Sequence, residues 1–396
     1  MKEIIEPSPR RTNEELAADA RTLLAGILGR KDPLKPKDRL AIPVQEMPTQ
    51  DPVARRGNMD EVAVGYTAEQ CRIESMRCLQ CKNAPCIAGC PVRINIPAFL
   101  AAAAEGDFKK SIAVIKESSL LPAVCGRVCP QEVQCQLDCT VGKSLKSVDK
   151  AVSVGRVERY VADLERDSGA LKPPVVKPAT GRKVAVVGSG PAGITVAADV
   201  RREGHSVTLF EAFHKPGGVL VYGIPEFRLP KRIVQLEIDT LKSMGVDVQL
   251  NFVVGRTRKL MDLMKKDGFD AVFVGSGAGL PKFMEIEGEN LVGVYSANEF
   301  LTRSNLMRAY DRDKADTPIV HTKKVAVLGG GNVAMDAART AVRLGAQEVR
   351  LVYRRTEVEM PARVEEVHHA KEEGVMFHML QNAKRILGDA QGRVTG

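Results

Sequence analysis

Tryptophan is absent from this sequence, and Tyr and Phe are so few that aromatic residues make up 4% of its 396 positions. That leaves little material for the base-stacking platforms of single-strand nucleic-acid binders. No apolar run approaches the ~18–20 residues that a membrane-spanning helix needs. Residues 1–30 mix acids and bases without an uninterrupted apolar core, so no secretory leader is expected and the expected compartment is the cytoplasm. Cysteine is missing before Cys71 and after Cys139, although the chain has nine. Packed into one segment of a chain expected in the cytoplasm, they point to metal rather than disulfides. The formal net charge of +9 comes from Lys and Arg interspersed with acids along the whole chain. Anionic cofactors and an acidic protein partner explain that excess better than nucleic acid does.

What is present divides into two textures. Periodicity predicts an amphipathic helix over 13–29, opened by Asn13, with Leu16, Leu23, Leu24, Ile27 and Leu28 near one face. Pro33, Pro36, Pro43, Pro48 and Pro52 then predict an extended linker. Helices are predicted over 95–105, 107–117 and 153–167, with Gly106-Asp107 breaking the first two. A second linker carries Pro173, Pro174 and Pro178. Beyond it, strands are predicted over Lys183–Val187, Ser206–Glu211, Ala271–Val274, Lys323–Leu328 and Glu348–Tyr353. Two of these run into glycines and a helix start, a βαβ unit used twice. The fold class is therefore α/β behind an α-helical N-terminal domain, with two Rossmann-like dinucleotide folds. The expected domains are a helix and linker over 1–50, a cysteine domain over 51–170, and dinucleotide folds over 180–320 and 321–396. Residues 385–395 read as a hairpin whose return strand has just begun, so the last domain is expected to be incomplete.

The cysteines fall into two groups, Cys78-x2-Cys81-x4-Cys86-x3-Cys90-Pro91 and Cys125-x3-Cys129-Pro130-x4-Cys135-x3-Cys139. Thiolates are soft ligands that suit iron–sulfur clusters or zinc. In bacterial two-cluster ferredoxins the cysteine before a proline serves the other cluster, and here both groups contain a Cys-Pro pair. Two interleaved [4Fe-4S] clusters are the expectation. Two structural zinc sites fit less well, because only Cys78–Cys81 has the knuckle spacing. Cys71 stands outside the pattern and reads as a free thiol.

The first dinucleotide motif is Gly188-Ser-Gly190-Pro191-Ala192-Gly193, directly after a strand. Its glycines suit the tight turn, the close approach of a pyrophosphate and helix–strand packing. Glu211 ends the next strand, where an acid accepts a ribose hydroxyl, and Gly217-Gly218 follows shortly. The second motif is Gly329-Gly-Gly331-Asn332-Val333-Ala334, with Ala in place of the third glycine. Its next strand ends in Arg354-Arg355 rather than an acid, which favours a 2′-phosphate and hence NADP(H). One nucleotide should be a fixed flavin, FAD, and the other a diffusible nicotinamide.

Several further stretches carry a resemblance: Gln50-Asp-Pro, Arg77-Cys-Leu-Gln-Cys-Lys-Asn-Ala-Pro-Cys, Pro122-Ala-Val-Cys-Gly-Arg-Val-Cys-Pro-Gln, Tyr222-Gly-Ile-Pro-Glu-Phe-Arg-Leu-Pro-Lys and Tyr353-Arg-Arg-Thr. With them the chain resembles the glutamate synthase small (beta) subunit family. The branch it resembles most includes the homotetrameric NADPH glutamate synthases and the large subunit of NADH-dependent reduced ferredoxin:NADP oxidoreductase. The resemblance implies that Cys78, Cys81, Cys86 and Cys139 hold one cluster. It implies that Cys90, Cys129 and Cys135 hold the other, with Glu158 as the non-cysteine ligand and Cys125 left over. It places Val128, Gly218, Val219 and Arg228 beside the flavin, and it inserts the nicotinamide domain into the flavin domain.

The resulting expectation is an NADPH oxidoreductase of the glutamate synthase small-subunit type. Hydride would pass to FAD, and single electrons through two clusters to a partner. That partner would be a glutamate synthase large subunit, or another flavoprotein or ferredoxin. Lys2 follows Met1, so no N-terminal cysteine is available for a glutaminase, and the length leaves no room for a TIM barrel. Two alternatives stand beside this reading: the large subunit of the electron-bifurcating ferredoxin:NADP oxidoreductase, and a non-catalytic iron–sulfur interaction module.

Overall fold

The computed structural model describes residues 11–311 and 313–396. The first ten residues, with Lys2 and the start of the sequence read as leaderless, lie outside the described residues. The described chain divides into two units, one of residues 11–50 with 62–172 and the other of 51–61 with 173–396.

The first unit is helical. Helix α1 (Asn13–Leu28) is capped by Thr12, whose hydroxyl accepts from Glu15 N while the Glu15 carboxylate accepts from Thr12 N. Asn13 is therefore the first helical residue and not the cap. Its side chain instead holds both backbone groups of Thr49. Leu16, Ala20 and Leu24 form the buried stripe, whereas Leu28 is exposed. The proline-rich linker contains a short helix, α2 (Pro36–Ala41), because Pro36 sits at its first turn, where proline is tolerated. Then follow α3 (Ala68–Met76), α4 (Pro85–Gly89), α5 (Ile96–Glu105), α6 (Phe108–Lys116), α7 (Pro122–Val128), α8 (Thr140–Ser144) and α9 (Val154–Asp167). Gly106, at φ 88°, closes α5 in the left-handed conformation, and Asp107 caps α6 through Lys110 N.

Two features bring the cysteine loops to α9. Gly126 of α7 has no side chain, and a Cβ there would stand 2.6 Å from the backbone N of Arg159. Gly155 of α9 likewise leaves the space that the Gln131 side chain fills. The second feature is a buried ion pair at the end of α3. Arg77 Nη1 donates to Glu74 Oε1 at 2.5 Å, and the same guanidinium donates to the carbonyls of Ile42, Lys150 and Ala151. Glu74 accepts in turn from Gln45 N and Ser153 N, both at 2.8 Å. The pair thus ties the residue before Cys78 to the start of α9. Burial of Ile73, Phe99, Ile115 and Val157 adds roughly 1.5–3 kcal/mol for each side chain.

The second unit is α/β. Its first sheet holds β1 (Lys183–Val187), β2 (Ser206–Phe210), β3 (Asp247–Gln249) and β4 (Ala271–Val274), all parallel in the order β3-β2-β1-β4. Four helices are interleaved with these strands: α10 (Pro191–Arg202), α11 (Val219–Tyr222), α12 (Lys231–Ser243) and α13 (Leu260–Lys265). After α14 (Ala297–Asn305) a second parallel sheet holds β5 (Lys324–Leu328), β6 (Glu348–Tyr353) and β7 (Met376–Met379). Its helices are α15 (Asn332–Arg343) and α16 (Val364–Glu372). The expected terminal hairpin is present as a bridge between Gly388 and Val394.

Charged residues are buried between α15 and α16. Glu373 accepts from Arg339 Nη2 (2.8 Å), from Arg343 Nη1 (2.6 Å) and from Arg55 Nε (2.7 Å) on the turn Ala54–Gly57. Arg339 and Arg343 also lie over the Phe227 ring. Burial alone would raise the Glu366 carboxyl, but Arg228 and Arg339 outweigh it and hold the group at about 2. Arg339 and Arg343 likewise overcome burial and hold Glu373 far below the usual carboxylate range. Burial, reinforced by Arg339, lowers His369 to about 4. Burial beats Arg228 at Asp336, which rises to about 6.

Removing Glu74 leaves Arg77 as an unpaired buried cation, a change that costs about 3–5 kcal/mol. Glu74→Ala should lower the denaturant midpoint of the helical unit accordingly, and an unchanged midpoint would show that the pair is not a support. The second unit should respond to pH in two stages. Between about pH 6.5 and 4 the unfolded chain takes a proton at His369 that the folded state refuses, while folded Asp336 takes one early; the two effects oppose. Below about pH 4.3 the unfolded forms of Glu366 and Glu373 protonate first, so their stabilisation is lost steeply as pH falls. A pH series of unfolding midpoints should be flat and then steep, and shallower at the acid end in Glu366→Gln.

Candidate functional site

The first cysteine site grows from the loop after α3. Gln80 takes a left-handed backbone at φ 52°, which folds Cys78 and Cys81 toward the same side, and its N–H is directed at the Cys78 sulfur. Cys86 follows on α4 and Cys139 precedes α8. All four of these thiols line one pocket of about 350 Å³, mouth included, with Ile96, Leu100 and Val154 among its walls. Burial pushes Cys78 up to about 11 and Cys86 up to about 12, and the neighbouring thiols add to both. Such crowding disfavours thiolates until a cationic centre is among them. The Cys81 sulfur also lies 3.3 Å from Thr140 Oγ1, a contact that spacing did not reveal.

The second group is built across α7 and α9. Burial raises the Cys135 thiol, and Glu158, Cys90 and Cys129 are the charges that add to the effect. Glu158 is wholly buried, and burial, then Cys129, raise its carboxyl well above the usual range. Its Oε1 has no hydrogen-bond partner among the described residues. An orphaned buried acceptor costs about 1–3 kcal/mol, which a cation beside it would remove. The donor sets therefore fit iron. Among the described residues no three His, Cys, Asp or Glu side chains are gathered closely enough for one metal ion. A cube of four irons asks for wider spacing, since each thiolate caps a different iron.

The first nucleotide cradle follows β1. A Cβ at Gly188 would strike the Gly275 carbonyl, and one at Gly193 would overlap the Gly188 carbonyl, so strand, turn and α10 can close only on glycine. A Cβ at Gly190 would meet nothing within 4 Å, which leaves the open approach that a pyrophosphate needs. Pro191 opens α10 without an N–H, and Ala192 beside it is exposed. Glu211 is buried: its Oε2 accepts from Ser189 N (3.0 Å) and from the Ser189 hydroxyl, and its Oε1 from Phe213 N (2.9 Å). Ser189 Oγ also accepts from Gly217 N at 2.8 Å. Gly218 packs with its missing Cβ 2.6 Å from Gly190 Cα, and Val219 beyond it is exposed. Arg228 is buried, with Nη1 at 2.8 and 2.7 Å from the two Asp336 oxygens and Nε 3.2 Å from Glu366. Val128 ends α7, in the helical unit, and is half-buried.

The second cradle follows β5. Gly329 and Gly331 flank Gly330, whose backbone lies against the Tyr353 ring. Ala334, in place of the third glycine, is buried on α15. Asn332 starts α15 and accepts from Arg363 N at 2.9 Å, while Val333 is exposed. Arg354 and Arg355 are exposed past the end of β6. Glu359, the acid that feels Arg355, is already held by Thr356 N and Oγ1.

Two family patterns cover the chain: dihydropyrimidine dehydrogenase domain II, 4Fe-4S cluster, over residues 55–170, and pyridine nucleotide-disulphide oxidoreductase over 182–395. The glutamate synthase [NADPH] small chain of Azospirillum brasilense is 36% identical over 352 residues, 87% of this chain and 71% of that one. The chain belongs to the glutamate synthase small-chain family. The Escherichia coli K12 small chain is 36% identical over 338 residues, covering 85% of this chain and 70% of its own. The beta subunit of the NADPH-Fe(3+) oxidoreductase of Geobacter sulfurreducens is 40% identical over 319 residues, but only 45% of its length is matched.

Sequence reasoning about this small-chain relative passed over Ser189, which orients Glu211, and Asp336, which pairs Arg228. The serine lies inside the glycine motif, where it reads as a spacer. The aspartate falls seven positions beyond Gly329 on a helix face that no motif marks. Gly193→Val should fold the helical unit normally yet lose bound flavin, read as loss of visible flavin absorbance at unchanged iron content. Retention of flavin would show that the strand–helix contact is not required.

Proposed function

We propose that this chain is an NADPH-dependent oxidoreductase of the glutamate synthase small-chain type, working in the cytoplasm. It takes hydride from NADPH onto FAD and delivers single electrons through two [4Fe-4S] clusters to a protein partner. The observation that supports the reading is the pair of thiol groups, one of them beside the orphaned carboxylate Glu158, in one chain with two different dinucleotide cradles. When bound, FAD supplies the exchange between a two-electron hydride and single electrons.

The chain's own residues have separate tasks. Cys78, Cys81, Cys86 and Cys139 would hold one cluster, and Cys90, Cys129, Cys135 and Glu158 the other. Gly188, Gly190 and Gly193 give the backbone of the FAD pyrophosphate loop, and Pro191 and Ala192 its first helical turn. Glu211, held by the Ser189 N–H and hydroxyl and by the Phe213 N–H, retains a lone pair on Oε1 for a ribose hydroxyl. Gly217, Gly218 and Val219 wall the flavin side, and Arg228, fixed by Asp336, is the cation on that side. Gly329, Gly331, Asn332, Val333 and Ala334 form the second cradle, where Arg354 and Arg355 receive the NADPH 2′-phosphate. The partner would be a glutamate synthase large chain or another redox protein. The beta-subunit name of the Geobacter relative supports a family that shares this scaffold among different complexes.

Anaerobically prepared protein should contain about eight irons per chain, four for each cluster, and no stoichiometric zinc. Its flavin should bleach with NADPH. Arg354→Glu with Arg355→Glu should raise the KM for NADPH about tenfold or more, since each charged hydrogen bond is worth about 1.5–3 kcal/mol, and leave NADH kinetics little changed. Zinc in place of iron would end the proposal, and an unchanged KM would remove the arginines from it.

A further inference from the structure

Cys125 belongs to neither set of proposed ligands, yet it is placed with care. It lies on α7, its N–H donates to Leu121 O at 2.8 Å, and its carbonyl accepts from Cys129 N (3.1 Å) and Gln131 Nε2 (3.2 Å). Its sulfur is hydrogen-bonded to the Cys129 sulfur and to the Ser119 side chain, and the Glu158 carboxylate is next to it. Ser119 is buried as well. The adjacent Gly126 lets α9 approach until its backbone touches α7, which brings Glu158 to the same spot with Oε1 unpartnered. A Cys129 sulfur that ligates iron has no proton to give, so the Cys125 S–H is left to donate to it and the Cys125 sulfur to accept from the Ser119 hydroxyl.

We infer that Cys125 is a positioning residue whose S–H, oriented by Ser119, donates to the Cys129 sulfur and raises the reduction potential of the cluster that Cys129 holds. The inference rests on the reading that Cys90, Cys129, Cys135 and Glu158 bind one cluster. Hydrogen bonds to cluster sulfurs and local burial are levers on potential. One-electron reduction adds one negative charge to the cluster, part of which falls on its sulfurs. A donor aimed at a ligating sulfur therefore stabilises the reduced state more than the oxidised one. With Glu158 supplying an anionic oxygen where a thiolate would otherwise stand, the Cys125 donor is the local group that offsets the added charge. The spare cysteine thereby adds to the difference that the Glu158 ligand already makes between the two clusters.

The test is an EPR-monitored redox titration of the full chain, with iron analysis on every sample. Wild type must show about eight irons and two cluster signals; if it does not, the cluster reading itself fails and the inference falls with it. Given two clusters, Cys125→Ala should keep all the iron and make reduction of one cluster about tenfold less favourable, about 59 mV for a one-electron couple. The other cluster should be unmoved. Cys125→Ser keeps a donor of similar size and should restore the wild-type potential. Loss of iron toward half in both variants would make Cys125 a ligand and overturn the inference. So would an unmoved potential in Cys125→Ala, or equal shifts in both variants, which would mark a packing effect.

Discussion

The helical unit depends on the Glu74–Arg77 pair. Three stretches that are distant in sequence meet there: the segment around Ile42 to Gln45, the end of α3 and the loop of Lys150 to Ser153. Each backbone group is satisfied by one member of the pair, so a buried charge that would normally be costly has its hydrogen bonds filled. Cys78 comes directly after Arg77, and Val154, the first residue of α9, comes directly after Ser153. The pair therefore sets the distance between the first thiol loop and the helix that carries Glu158. Moving either partner would displace both candidate clusters together.

The same economy appears where a glycine lets another segment come close. At Gly126 against Arg159, at Gly193 against Gly188 and at Gly330 against Tyr353, a segment occupies the space of a missing side chain. Each contact lies beside a group of chemical interest: the Cys129–Glu158 pair, the loop proposed for FAD and the loop proposed for the nicotinamide nucleotide. A pyrophosphate or a cluster needs backbone amides and thiols nearby, and bulk at these points would push the helix away. Close approach thus serves binding more than stability.

Much of this was legible in the sequence. The strands Lys183–Val187, Ala271–Val274 and Glu348–Tyr353 have the expected bounds, because short runs rich in Val leave few other readings. The break at Gly106-Asp107 also stands as read, since left-handed glycine and a capping aspartate are local chemistry. Asn13 failed as a cap because Thr12, with Glu15 three residues on, offers a reciprocal pair, while Asn13 finds partners at Thr49. The short helix at Pro36 was hidden by reading prolines as linker, although proline at a first turn is compatible with a helix. Glu74 and Arg77 stand three residues apart at the end of one helix, a spacing open to reading, but the ionic partners of Arg55 and Arg228 could not be read at all. They depend on contacts between segments up to 318 residues apart, and charge patterns along one helix do not encode them.

Buried charge is handled in two opposite ways, and the contrast separates support from chemistry. Glu74 and Glu373 are surrounded by guanidiniums and amides that fill their oxygens, and such groups need nothing more. Glu158 is also buried, but among the described residues no cation offsets its charge, one of its oxygens is unpartnered and the Cys129 thiolate would repel it. A fold that satisfies Glu74 within the same unit has the means to satisfy Glu158. That it does not is best understood as space kept for a positively charged centre, because leaving such a group bare is otherwise a net loss. By the same reasoning Cys125 is not surplus. A thiol held between the Ser119 side chain and the Cys129 sulfur would be part of the environment of a cluster bound there.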